Sequence, residues 1–195
     1  MKNLTFDEIK NQQLVDLRLQ LDYQEGHFKN SLNLNPKNFK KYATDFLASD
    51  QPIVFIADNN STEALEELET FVKQEGLGQV EGYILNKDIP DENLQQTETI
   101  PADEFLNKED DYILLDVRHP DEITRPAPEK KLLNIPLEYL PDVYQTINQF
   151  QKIYTLCGSG NRGTSAASFL SSKGYGTSVI EGGMKSIEEE LEEKE

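Results

Sequence analysis

The chain carries one pattern twice. Leu14-Val15-Asp16-Leu17-Arg18 returns as Leu114-Leu115-Asp116-Val117-Arg118, 100 residues later. Residues 52–57 align with 152–157 at the same offset. Asn33-Leu34 resembles Asn134-Ile135, shifted by one residue, and residues 4–9 resemble 100–105. Matches in one order over this distance indicate duplicated domains rather than a solenoid, whose repeats run to about 20–50 residues. A length of 195 residues suits two small domains. The expected domains are 1–88 and 97–195, with the polar stretch 86–96 as linker.

Each copy alternates strand-like and helix-like segments. In the second copy, strands are expected near 112–117, 131–135, 152–156 and 177–180. Helices are expected near 102–107, 140–150, 163–173 and 184–192. In the first copy, Ala64, Leu65, Leu68, Phe71 and Val72 fall at helical spacing within 62–74 and read as a core-facing stripe. Such alternation predicts an α/β fold: in each domain, a mostly parallel central sheet flanked by helices. Ligands of such sheets bind beyond the carboxyl ends of the strands.

The chain's one cysteine lies at that place. Cys157 follows the apolar run 152–156 and opens the turn Cys157-Gly158-Ser159-Gly160-Asn161-Arg162. Gly163 and a helix-like stretch come next. Under a helix N-terminus, backbone N–H groups and the positive end of the helix dipole both stabilise a thiolate, which is the nucleophilic form. Glycines permit the close backbone approach this requires. The loop amides of Gly158, Ser159, Gly160, Asn161 and Gly163 are therefore the expected cradle for an accessible sulfur and what it carries. Arg162 adds a cation at the rim, either binding an anionic donor or, as the favoured reading, tying the loop to the domain. Asp116 closes the first strand and is expected to anchor neighbouring backbone or Arg162. Arg118 has two readings, an anion-recruiting residue at the pocket mouth or a structural ion pair. His119 reads as a solvent-facing loop residue, His27 as a turn residue, and Gly182-Gly183 as a tight packing point before the last helix.

Composition narrows the function. The net charge is −17, and the isoelectric point is about 4.5. Nucleic-acid binding needs clustered Lys and Arg, and the sequence has no such cluster. A single Cys excludes an internal disulfide and fits a reducing compartment. One Cys and two His argue against a dedicated metal site, and no cofactor is expected. No apolar run approaches the roughly 20 residues of a membrane span, and the first residues lack the apolar core of a signal peptide. The expectation is a cytoplasmic protein with neither nucleic-acid nor membrane partners. Acidity also repels small anionic substrates, so a local cationic funnel is expected, with Arg162 and Arg118 as its candidates.

The second half, about 99–195, resembles the rhodanese family of sulfurtransferases. The matching pieces are Ile100-Pro101-Ala102-Asp103-Glu104-Phe105, Leu115-Asp116-Val117-Arg118-His119-Pro120-Asp121-Glu122 and Asn134-Ile135-Pro136, followed by the loop from Cys157 to Arg162 and Glu181-Gly182-Gly183-Met184. The whole chain resembles a tandem rhodanese whose first copy is non-catalytic, with Ala57 at the cysteine position and Thr62 at the arginine position. It departs from the family in two places. Thr124–Lys130 replaces a Gly-His-Ile-Pro-Gly-Ala segment, and Ile187 stands where Trp is frequent. The resemblance implies transfer of a sulfane sulfur through a Cys157 persulfide, from thiosulfate or a small persulfide to a thiol or cyanide. A relay that hands sulfur to a partner protein with little thiosulfate turnover is the alternative. A phosphatase or arsenate reductase is disfavoured, because related phosphatases place one more residue between Cys and Arg.

Overall fold

The computed structural model describes all residues, Met1–Glu195. They form two compact units, Met1–Gln96 and Thr97–Glu195. In the first, β1 (Gln13–Asp16), α1 (Gln20–Glu25), β2 (His27–Phe28), β3 (Leu32–Asn33), α2 (Pro36–Phe46), β4 (Ile53–Ala57), α3 (Leu65–Glu75), β5 (Val80–Leu85) and β6 (Leu94–Gln95) follow in order. The second contains β7 (Thr99–Ile100), α4 (Ala102–Leu106), β8 (Tyr112–Asp116), β9 (Leu132–Asn134), α5 (Leu140–Val143), β10 (Lys152–Leu156), α6 (Asn161–Ser172), β11 (Thr177–Ile180) and α7 (Gly183–Glu193).

Both central sheets are wholly parallel. Their orders are β3-β1-β4-β5 and β7-β11-β10-β8-β9. One interior strand of each is buried along its length. Every residue of β4 is buried, as are Ile153 to Leu156 of β10, which is the signature of a strand covered on both faces. The duplication is structural as well as sequential. In the second unit Thr99 of β7 pairs with Val179 of β11. In the first, Asn3 makes the equivalent single parallel bridge to Tyr83 of β5.

Three elements differ from the sequence reading. The stretch 86–96 is not a free linker. It forms 3-10 turns at Asn86–Asp88 and Asp91–Asn93, buries Ile89 in the first core, and ends in β6, antiparallel to β2. The expected helix 140–150 is broken into α5 and a 3-10 turn at Tyr144–Thr146. Side chains take its carbonyls: the Thr146 hydroxyl donates to the Val143 oxygen at 2.7 Å, and Tyr175 OH donates to the Tyr144 and Ile147 oxygens at 2.9 and 3.3 Å. Such bonds compete with helix propagation. His27 is not a turn residue but is 3% exposed in β2. Its ring stacks on Tyr23 at 3.8 Å, and its Nδ1–H donates to the Tyr23 carbonyl at 2.8 Å. No helix is long and apolar enough to cross a membrane.

Candidate functional site

Helix α6 sets the geometry around Cys157. Its residues from Gly163 to Ser168 are small and buried, so the helix lies close on the sheet. Thr155 Oγ1 of β10 donates to the Gly163 carbonyl at 2.8 Å. A Cβ added at Gly163 would lie 3.3 Å from that hydroxyl oxygen. Gly160, with φ of 99°, turns the chain into the first residue of α6, a backbone region that disfavours side chains.

This path brings two main-chain donors onto the sulfur. Gly160 N–H and Gly163 N–H donate to Cys157 Sγ at 3.1 and 3.3 Å. Both belong to the expected cradle, and the arrangement suits negative charge on sulfur. Gly158 is half-buried, Ser159 is exposed on the crown of the loop, and Asn161 begins α6 half-buried. One part of the expectation changes. The sequence reading implies an accessible thiol, whereas Cys157 is 1% exposed.

The loop is held from two sides. Met184 N–H of α7 donates to the Cys157 carbonyl at 2.7 Å, and Lys185 N–H donates to the Gly158 carbonyl at 3.2 Å. Gly182 and Gly183 enter α7 with φ of 71° and 61°. A Cβ on Gly183 would stand 2.5 Å from the Cys157 oxygen, so only glycine permits this approach. On the other side, Arg162 makes a two-pronged ion pair with Glu122, Nη1 to Oε1 and Nη2 to Oε2, the second at 3.0 Å. Glu122 ends the 3-10 turn Pro120–Glu122, where its carboxylate also accepts from His119 N–H at 2.8 Å.

The charged residues therefore act differently from the cationic funnel expected. Arg118 is 6% exposed and structural. Its Nε and Nη2 donate to Asp116 at 3.0 and 2.8 Å, its N–H to Asp116 Oδ1 at 3.1 Å, and its Nη1 to the Arg125 carbonyl at 3.2 Å. Asp116 anchors Arg118 and its backbone; the partner of Arg162 is Glu122. The first unit repeats this clamp with Asp16 and Arg18, again at 3.0 and 2.8 Å. Asn33 and Asn134 each donate to the paired Asp and Arg carbonyls. Asp-x-Arg is thus a fold device present in both copies. Glu122 was legible as part of a motif but not as a partner, because Arg162 lies 40 residues away.

The first copy fills its loop with itself. After Ala57, the Asp58 carboxylate accepts from Asn60 N–H, Ser61 N–H and Ser61 Oγ, all at 2.9 Å. The Asn60 amide, equivalent to the Gly160 amide that meets the sulfur in the second copy, meets a resident carboxylate in the first.

A family model described as a rhodanese-like domain matches residues 4–90 and again 101–190. Over 101 residues the chain is 24% identical to "Putative sulfurtransferase YtwF" of Bacillus subtilis (strain 168), covering 52% of this chain and 97% of that protein. Among solved structures, a rhodanese-related protein from Thermoplasma volcanium is 31% identical with a TM-score of 0.45, over 48% of this chain and 92% of that one. A thiosulfate sulfurtransferase from Pseudomonas aeruginosa is 14% identical with a TM-score of 0.41, over 91% of this chain and 39% of that one.

Proposed function

Because the chain belongs to the family of rhodanese-like domains, matched across both of its units, we propose that it is a sulfurtransferase working through Cys157. The observation that carries this reading is the sulfur at the end of β10 with the Gly160 and Gly163 amides on it. A relative, YtwF, bears a sulfurtransferase name.

The reaction is a double displacement. The Cys157 thiolate attacks the outer sulfur of thiosulfate or of a small persulfide. A bond forms between Sγ and that sulfur; the donor's sulfur–sulfur bond breaks, and its electron pair leaves on sulfite or on the donor thiolate. An acceptor thiolate or cyanide then attacks the outer sulfur of the Cys157 persulfide, giving a new persulfide or thiocyanate and restoring the thiolate. Dividing the transfer through a covalent intermediate is nucleophilic catalysis with ping-pong kinetics. The two loop amides are preorganised donors for charge on the sulfur pair. Arg162 acts mainly by fixing the loop to Glu122.

Intact mass tests the reading. Incubation with thiosulfate, and separately with glutathione persulfide, adds one sulfur to the wild-type chain and none to Cys157→Ser. Cyanide then releases thiocyanate. Uptake by Cys157→Ser refutes the assignment. Loading from the persulfide alone, with slow release, indicates a relay to a partner protein.

A further inference from the structure

We propose that Lys185 recruits the anionic sulfur donor to the Cys157 loop, an inference that rests on the sulfur-transfer reading. A chain with net charge −17 repels a small dianion such as thiosulfate at long range. A cation near the sulfur must offset this, and the two arginines of the motifs around the sulfur are engaged: Arg118 with Asp116, and Arg162 with Glu122. Every other Lys or Arg of the second unit, apart from Lys185 and Lys194, ends in an ion pair, on a carbonyl or over an aromatic ring. Lys194 lies just past the far end of α7.

Lys185 is placed otherwise. It lies in the first turn of α7, and its own N–H holds the Gly158 carbonyl at 3.2 Å. The preceding residue holds the carbonyl of Cys157 itself. In a helix every Cα–Cβ bond tilts toward the N-terminus, which here is the end against the loop. The Cα–Cβ bond of Lys185 therefore tilts toward the sulfur's own turn. Lys185 is exposed, and its ammonium forms no ion pair or hydrogen bond. Of the carboxylates on α7, Glu188 and Glu192 pair with Arg125, and Glu189, one turn beyond Lys185, forms no ion pair with it. The Lys185 ammonium is a compact point charge on a flexible stem, able to meet a small oxyanion in several geometries.

The test uses the full chain and two kinds of probe. With thiosulfate and cyanide, Lys185→Gln lowers kcat/KM about fivefold, the effect of one nearby charge in a partly screened site, mainly through KM. Lys185→Glu lowers it further, and Lys185→Arg restores it. Iodoacetate and iodoacetamide alkylate Cys157 independently of sulfur transfer, and they differ in charge. Lys185→Gln slows iodoacetate relative to iodoacetamide by a similar factor, while the iodoacetamide rate holds. An unchanged iodoacetate-to-iodoacetamide ratio overturns the role of Lys185. Failure of the wild-type chain to take sulfur from any donor refutes the sulfur-transfer reading instead, and the alkylation ratio still decides whether Lys185 draws anions to this thiol.

Discussion

At the scale of single residues, the chemistry around Cys157 is set by main chain and the charges are set by tertiary pairing. The order strand, glycine-rich turn, helix pointed to a cradle of five loop amides; two of them, Gly160 and Gly163, donate to the sulfur. That order could not assign partners to the arginines. Arg118 is fixed by an aspartate two residues away, but Arg162 is fixed by Glu122 across 40 residues. The Arg162–Glu122 pair carries a prediction. Both side chains restrain one loop, so Arg162→Ala and Glu122→Gln each slow sulfur loading roughly tenfold, the equivalent of about 1.4 kcal/mol. Residues that act as one unit are not additive. The double variant therefore loads no more slowly than the slower single variant. Multiplying effects in a stopped-flow or quenched-mass assay would show that the two act separately.

At the scale of elements, periodic segments were legible and interrupted ones were not. Strands β8, β10 and β11 and helices α3 and α6 follow from apolar runs and helical spacing. The stretch after α5 departs because Tyr175, 28 residues beyond Ile147, takes two of its carbonyls. The β2–β6 ribbon departs for a similar reason, since it joins residues far apart in sequence. Burying His27 in that ribbon gives it a pH signature. Burial, aided by the nearby Arg18 cation and opposed by the Tyr23 carbonyl, pushes its pKa down to about 4 from 6.5. Below pH 6.5 the unfolded chain takes up a proton that the folded one refuses. Stability of this unit therefore falls as pH drops from 6.5 to about 4 and levels off below. The loss across that window is on the order of 3 kcal/mol. Hydrogen exchange of the β4 amides reads this unit alone. Between pH 6.5 and 4.5, their protection should fall more steeply in the wild-type chain than in His27→Gln. Equal slopes would mean that His27 is protonated in the folded state.

At the scale of the whole molecule, the two copies share a scaffold and diverge in what occupies one loop. Both keep the Asp-x-Arg clamp, the asparagine that closes it and a parallel sheet with a buried interior strand. Loss of the thiol at Ala57 was plain in the sequence. That the cradle itself is occupied was not, because the Asp58 carboxylate turns back on its own loop only in the folded chain. It follows that restoring the cysteine does not restore the site. A thiol placed at Ala57 would compete for the Asn60 amide, already bonded to a carboxylate, and that adjacent negative charge disfavours a thiolate. The second-copy loop relies on Gly158, Gly160 and Gly163, whereas the first has Asp58, Asn60 and Glu63 at those positions, so it also lacks the backbone freedom for a close turn around sulfur. Ala57→Cys in a Cys157→Ser background should therefore take no sulfur from thiosulfate or glutathione persulfide under conditions that load the wild-type chain fully, as read by intact mass. Loading within tenfold of the wild-type rate would show that the thiol alone distinguishes the copies. Failure to load, with the introduced thiol still alkylated by iodoacetamide, would locate the difference in the amides around the sulfur rather than in access to it.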